Sequence, residues 1–130
     1  MKVTIQKVSK HTLYLAFDGE AMFIVDEKYG SVKNLMEKLL QTDRESLTTT
    51  CEVAAMFAER GELARRYYGY DPSKIVEADD IKRVIQPAQI VELKDSVIKA
   101  IELGFGREIE NEEKEVDLGL LELNEQKKTT

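Results

Sequence analysis

The N-terminal stretch decides the fold class: residues 2–25 read KVTIQKVSKHTLYLAFDGEAMFIV. Apolar side chains recur in it at every second position, first within the segment Lys2 to Val8 and again after the turn residues Ser9 and Lys10. The positions with this period are Val3, Ile5, Leu13, Leu15 and Phe17. A period of two is typical of a half-buried β-strand, so the sequence predicts strands here.

Asp18-Gly19 interrupts this alternation. The dipeptide favours the positive φ angles of a tight type I′ turn, and the apolar residues Met22 to Val25 follow it, so residues 12–25 are predicted to form a hairpin. Together with the first segment this predicts three antiparallel strands. Because such a sheet leaves an apolar face uncovered, helices must pack against it.

The clearest helix signal is SVKNLMEKLL at residues 31–40, where Ser31 is a good N-cap and the apolar residues fall on one side of a 3.6-residue repeat. A second helix is predicted after Asp43. Its stripe of mostly small residues consists of Leu47, Cys51, Ala54, Ala55 and Ala58. We expect this helix to be central and buried, and Gly61 is a candidate for interrupting it.

Three further helical segments follow. GELARRYYGY at residues 61–70 predicts one or two turns ended by Gly69 and Pro72, and ADDIKRVIQ at residues 78–86 predicts a short helix with acids in its first turn. Pro87 suits the first position of a last helix, which ends at Gly104. Its apolar face is predicted to comprise Ile90, Leu93, Val97, Ala100 and Ile101. The predicted fold is therefore α+β: an N-terminal three-stranded antiparallel sheet packed on four to five helices in a single domain, residues 1–104.

The totals limit the functional classes. A chain of 130 residues fits one domain, and its net charge of −6 argues against nucleic acid as a partner, because binding phosphates requires clustered Lys and Arg. No stretch approaches the 18 or so apolar residues that a membrane span requires. A lone cysteine, Cys51, is compatible with a reducing compartment, so a cytoplasmic protein is expected.

Residues 105–130 differ in composition, with eight acidic and four basic residues, and are predicted to form an acidic, flexible tail. Within them, EVDLGLLEL at residues 115–123 places branched apolar side chains among acids, a pattern typical of a segment that becomes ordered on binding. Its candidate partner-binding residues are Val116, Leu118, Leu120, Leu121 and Leu123. The alternative is that these residues dock on the chain's own domain as a last helix or strand.

The sequence offers few groups for a reaction centre. His11 and Cys51 are far apart in sequence, and we expect an exposed turn histidine and a small core thiol. Asp79 and Asp80 are explained as acids at a helix N-terminus, because no metal-ligand spacing accompanies them. The sequence therefore predicts no catalytic residue, no metal and no cofactor, and a protein that is not an enzyme.

One cluster combines bases and aromatics: Arg65, Arg66, Tyr67 and Tyr68. Arg and Tyr dominate the energetics of protein interfaces, so these four are candidate partner-binding residues. Because acidic residues flank the cluster on both sides, a structural role is the favoured alternative, and stacking on nucleic acid is the weaker one.

The order of these pieces resembles the tail assembly chaperones of siphophages and prophages of Gram-positive bacteria. The resemblance rests on the sheet-then-helix order, on two phrases and on the acidic end, and it covers nearly the whole chain. The phrases are GELARRYYGYDP at residues 61–72 and PAQIVELKDSVIKAIELGFGRE at residues 87–108.

The resemblance implies a protein of the host cell cytoplasm that is absent from the mature virion. Such a protein binds the tape measure protein and promotes polymerisation of tail tube protein around it, and self-association is a further possibility for it. Members of this group often exist in a longer form made by ribosomal frameshifting, for which the codons of Lys127-Lys128 are a candidate site.

Two alternatives stay open at this point. The first is a structural virion component, such as a tail-completion or head-tail connector protein. The second is a small DNA-binding regulator that would use Arg65, Arg66, Lys82 and Arg83, against which the net acidity of the chain counts.

Overall fold

Two strands joined by a tight turn begin the chain, as the period of two predicts. In the computed structural model, which describes residues 1–107 and 115–119, Ser9 adopts a positive φ of 55° at this turn. The elements are β1 (Lys2–Val8), β2 (His11–Leu15), α1 (Gly19–Tyr29), α2 (Val32–Leu39), α3 (Arg44–Tyr67), α4 (Ala78–Val84), α5 (Pro87–Gly104) and β3 (Glu115–Asp117). The predicted α+β class is confirmed: within the described residues, a three-stranded antiparallel sheet lies with five helices.

The predicted strand at Met22 to Val25 is wrong, because these residues lie in α1. Asp18 does not begin a hairpin turn. It is the N-cap of α1, and its carboxylate accepts a hydrogen bond of 2.9 Å from the backbone N–H of Ala21. The apolar run MFIV therefore lies in a helix, in which Val25 is buried while Phe23 is exposed.

The third strand comes from the other end of the chain. β3 pairs antiparallel with β1, placing Val116 opposite Val3, and the strand order is β2-β1-β3. Residues 115–119 of the predicted tail therefore lie on the domain, in agreement with the docking alternative for Val116 and Leu118. Residues 108–114 and 120–130, including Leu120, Leu121 and Leu123, lie outside the described residues.

The predicted helix starts are confirmed where a cap was identified. Ser31 and Asp43 accept hydrogen bonds from the N–H groups of Asn34 and Ser46, and Pro87 is the first residue of α5. The expected break at Gly61 is wrong. α3 continues through it for 24 residues, and Gly61 instead lets the helix backbone lie directly against the end of β2.

The sheet is covered on both sides. Val8, Leu13 and Leu15 belong to the main core with residues of all five helices, whereas Val3 and Ala16 belong to a second, smaller cluster with Tyr70 and Leu118. Because successive side chains of a strand point to opposite faces, Val3 and Val8 reach different clusters. The sequence predicts one apolar face, whereas the sheet in the structure has an apolar cluster on each face.

Asp18 has a second role that makes it a useful test of the α1 start. Its carboxylate accepts hydrogen bonds of 3.0 and 3.2 Å from Nε of Arg60 on α3, and these bonds raise the pKa of the Arg60 guanidinium. We expect Asp18→Ala to lower the free energy of unfolding by about 1–2 kcal/mol, since the cap and a partly buried ion pair are both lost. Urea denaturation followed by circular dichroism measures this. Asp26→Ala, an exposed change on the same helix, is the control, and equal losses in the two variants would contradict the assignment.

Candidate functional site

A buried carboxylate organises the C-terminal end of α3. Glu62 is only 6% exposed, and its two oxygens accept hydrogen bonds from Nη1 of Arg65 at 2.6 Å, Nε of Arg66 at 2.9 Å and the backbone N–H of Ser73 at 2.8 Å. Arg66 also donates to the carbonyl oxygen of Ser73 at 2.9 Å. The two arginines therefore hold the loop after α3 against the helix.

The charge of Glu62 is stabilised by these donors. Burial by itself raises the pKa of the carboxyl group, but the hydrogen bonds from the Ser73 N–H, Arg66 and Arg65 outweigh burial, so the pKa of Glu62 lies below its ordinary value. A carboxylate with three charge-assisted or backbone donors is a rigid anchor rather than a proton donor.

Arg65 also stacks between two aromatic rings. Its guanidinium carbon lies 4.9 Å from the ring centre of Tyr14 on β2 and 5.5 Å from that of Tyr70. The Tyr70 hydroxyl in turn donates a hydrogen bond of 2.9 Å to the carbonyl oxygen of Leu118. Arg65 on α3 thus contacts the sheet through Tyr14, and through Tyr70 it is linked to the C-terminal segment at Leu118.

The tyrosine surface, which we define as Leu63, Tyr67 and Tyr68, lies beside this anchor. Tyr67 is 85% exposed, and Leu63 precedes it by one helical turn and is also exposed, so the two lie on one side of α3. The Tyr68 ring meets that of Tyr67 edge to face, with 5.3 Å between ring centres, and packs on the second cluster. An exposed aromatic on a rigid support suits recognition of another protein.

The strap, which we define as residues 115–119, covers the adjacent edge of the sheet. Leu118 is 1% exposed, its N–H donates to the carbonyl oxygen of Met1 at 2.8 Å, and Glu115 pairs with Lys2 at 2.9 Å. The N-terminal amine lies 3.1 Å from the Asp117 carboxylate. The strap groove, lined by Val3, Ala16 and Tyr70 with Tyr14, Ala64 and Tyr68 around them, holds the Leu118 side chain.

Opposing energies of similar size act on the strap. Burying one leucine gives about 1.5–3 kcal/mol, and each hydrogen bond adds about 0.5–1.5 kcal/mol. Exposed ion pairs add little, and fixing each backbone residue costs about 1–2 kcal/mol. The stabilising and opposing contributions to the strap are thus of the same order.

The predicted site residues thus have different positions. Arg65 and Arg66 are engaged inside the chain, Tyr67 is exposed, Tyr68 is half-buried, and Val116 and Leu118 face the same cluster as Tyr68. The structure therefore brings the aromatic cluster and the C-terminal segment together, although 47 positions separate Tyr68 and Glu115 in the sequence. Partner binding by these residues stays a prediction.

The remaining cations of the DNA-binding alternative also have carboxylates nearby. Lys82 lies 3.9 Å from Asp79, and Arg83 lies 3.7 Å from Asp80. Asp80 also accepts the Glu77 N–H as part of the capping box of α4, as expected for a helix N-terminal acid. All four arginines and lysines of that alternative are thus paired with acids within the chain.

Cys51 is buried in α3, and burial, the largest effect on it, raises the pKa of its thiol. A raised pKa makes the thiolate scarce at neutral pH, in keeping with the expected core thiol. His11 is half-buried at the start of β2 rather than exposed. Among residues 1–107 and 115–119, no group of three or more His, Cys, Asp or Glu side chains could hold a metal ion.

Sequence reasoning missed several residues of this region, namely Glu62, Tyr70, Ser73 and Lys2. A signal for Glu62 was present, because a carboxylate three and four positions before two arginines is the spacing of helical ion pairs. Tyr70 and Lys2 had no such signal, since both act on a segment more than 45 positions away.

No protein-family profile, no curated protein and no solved structure matches this chain. In the part of the chain that the structure describes, no helix combines the length and apolar character needed to cross a bilayer.

Proposed function

We propose that the protein is a tail assembly chaperone of a long-tailed bacteriophage. It binds the tape measure protein in the host cell cytoplasm, promotes polymerisation of the tail tube protein, and leaves before the virion is complete. The sequence resemblance supports this function, and the GELARRYYGYDP phrase of that resemblance contains the tyrosine surface and its Glu62 anchor.

The single observation that carries the proposal is the exposure of Tyr67 on a rigid support. A tyrosine that is 85% exposed, next to a carboxylate bound by three donors, buries little surface within the monomer and is well placed for a partner. A rigid aromatic loses little conformational entropy on binding, which is why tyrosine is enriched among residues that dominate interfaces.

Binding to the tape measure protein is the direct test. Pull-down of the tape measure protein of the same phage should succeed with the full chain or with a frameshifted longer form, and failure with both would contradict the proposal. Mass spectrometry of purified particles separates the chaperone from a structural tail-completion or head-tail connector protein. A chaperone is absent from the particles, and a connector is retained.

The tyrosine surface gives a sharper prediction. Tyr67→Ala should weaken binding to the tape measure protein by at least about 30-fold, the effect of losing an interface residue worth about 2 kcal/mol. The same change should lower the free energy of unfolding by no more than about 1 kcal/mol, because the side chain is exposed and its ring contact with Tyr68 is the packing that is lost. Isothermal titration calorimetry and urea denaturation measure the two quantities.

Phe23→Ala is the matched control, since Phe23 is an aromatic that is 64% exposed on α1, outside the tyrosine surface. It should change neither binding nor stability appreciably. Equal binding by the Tyr67 variant and the unchanged chain would remove the tyrosine surface from the proposed function.

A further inference from the structure

The strap groove has the features with which proteins recognise an extended peptide. β1 offers a sheet edge, an apolar pocket takes one leucine, and the Lys2 ammonium lies 2.9 Å from an acid of the bound segment. In recognition by strand addition, backbone hydrogen bonds provide affinity and side-chain pockets provide selectivity. The occupant in this structure is the chain's own segment Glu115-Val116-Asp117-Leu118.

The groove is continuous with the tyrosine surface. Tyr68 belongs to both, because its ring contacts Tyr67 edge to face and packs on the cluster that holds Leu118. A partner on the tyrosine surface therefore lies next to the strap. Removing the strap would uncover apolar surface of the second cluster while leaving the main core, which contains none of the strap residues, in place.

We propose that the strap is a built-in competitor for the client. The client presents an extended segment of the pattern acid, branched apolar, acid, leucine, which pairs antiparallel with β1 and places its leucine where Leu118 lies. This inference rests on the proposed function, because it names the groove and the chemistry of the client segment. The strap keeps the groove covered until a client displaces it.

Two features of the structure favour a client segment that is acidic and carries a leucine. Lys2 and the N-terminal amine both face carboxylates of the strap, so the rim of the groove is positively charged. The pocket is selective at the leucine position, because Leu118 is fully buried. Val116, two positions earlier, is only partly buried opposite Val3. An aspartate in place of the leucine would leave a charge buried among apolar side chains.

The first experiment uses the full chain labelled with nitrogen-15 and an unlabelled peptide of residues 113–121, EKEVDLGLL. Only the chain is visible by NMR, so displacement of the strap is seen in the Leu118 and Gly119 amide signals. We expect these signals to move saturably to the positions of a free segment, with the signals of the main core unchanged. A peptide with aspartate at the Leu118 position should be at least about tenfold weaker. Unmoved strap signals at millimolar peptide would overturn the inference.

The second experiment asks whether releasing the strap favours the client. If the groove is open in about 1–10% of molecules, Leu118→Asp in the full chain should raise the affinity for the client by about 10–100-fold. Val91→Asp, the same kind of change at a 70% exposed position on α5, is the matched control and should have no effect. Circular dichroism checks that both variants fold, and if Leu118→Asp does not, the peptide titration alone decides.

The outcomes separate this inference from the proposed function. Equal client binding by the unchanged chain and a folded Leu118→Asp variant overturns the inference and leaves the function standing. Loss of client binding in every variant overturns the function, and the peptide titration still decides whether the strap is displaceable. A concentration-dependent dimer that Leu118→Asp abolishes, seen by light scattering, identifies a second copy as the occupant and overturns the client assignment.

Discussion

Gly61→Ala is expected to unfold the protein or to lower its free energy of unfolding by more than about 4 kcal/mol. In an ordinary exposed helix the same change stabilises by about 1 kcal/mol, because alanine has the higher helix propensity. Here a Cβ on Gly61 would overlap the carbonyl group of Tyr14 at the end of β2. Backbone atoms on both sides must move apart, so the steric cost exceeds the gain in helix propensity and the variant is destabilised.

The contact between α3 and β2 explains why no small adjustment helps. The backbone N–H of Ala16 donates a hydrogen bond of 3.1 Å to the carbonyl oxygen of Phe57, one turn before Gly61. Moving α3 away from the strand to accommodate a methyl group would break this bond and loosen the buried Phe57 ring. Urea denaturation and the yield of folded protein measure the effect.

Gly19→Ala is the matched control for this prediction. Gly19 begins α1, and a Cβ there would meet no atom within 4 Å. This variant should be as stable as the unchanged chain or slightly more stable. A folded Gly61→Ala variant of unchanged stability would show that α3 and β2 do not approach each other in this way.

Glu62→Gln is expected to lower the free energy of unfolding by about 2–4 kcal/mol at neutral pH. The glutamine amide has the same shape but only one acceptor oxygen, so donors from Arg65, Arg66 and the Ser73 N–H lose their shared partner. Arg65 is the more buried of the two arginines, and an unpaired buried guanidinium is the larger part of the cost.

The same substitution should change how stability depends on pH. Because the pKa of Glu62 is lowered in the folded protein, its contribution is complete above the unfolded-state pKa of about 4.3 and is lost as the pH falls through the lower folded-state pKa. As the pH falls from neutral to below about 4.3, the unchanged chain should therefore lose stability more steeply than the glutamine variant does. Urea midpoints measured across this range give the two slopes.

Glu59→Gln is the control for both parts, since Glu59 lies exposed on the same helix. It should change the free energy of unfolding by less than about 0.5 kcal/mol. If the Glu62 and Glu59 variants had the same stability and the same acid slope, Glu62 would not be the anchor of the loop after α3.

Local signals in the sequence predicted much of the helical part of the fold. Ser31, Asp43 and Pro87 are helix starts in the structure because each meets a need of the helix N-terminus itself: an acceptor for free N–H groups, or a residue without one. Such needs are satisfied within four residues of the signal. These helix-start signals can therefore be recognised in the sequence without knowledge of the tertiary packing.

The errors come from positions whose role depends on distant residues. MFIV at residues 22–25 suits a strand by composition, but Asp18 caps a helix there and Arg60, 42 positions later, holds Asp18 in place. Gly61 has the appearance of a helix break, yet its missing side chain is needed for the approach to Tyr14. The third strand pairs residues more than 110 positions apart, for which a sequence of one protein gives no register.

The candidate site was predictable in composition but not in arrangement. Arg65 to Tyr68 stand out as a cluster, and the leucines after Glu115 stand out among acids. Tyr68 and Tyr70 bring the Arg65–Tyr68 cluster and the C-terminal segment together because β3 pairs with β1, and this pairing is seen only in the fold. The partition of the cluster into anchored arginines and an exposed Tyr67 depends on Ser73, a loop residue with no distinguishing sequence signal.

The pairing of the two ends of the chain also bears on synthesis at the ribosome. The β1–β2 hairpin emerges first, but an isolated hairpin is at best marginally stable in water, and its main covering helix is α5. About 100 residues separate β1 from the end of that helix, and translation at about 5–20 residues per second takes roughly 5–20 s to supply them. The edge of β1 that pairs with residues 115–119 therefore has no partner from the chain until those residues are synthesised.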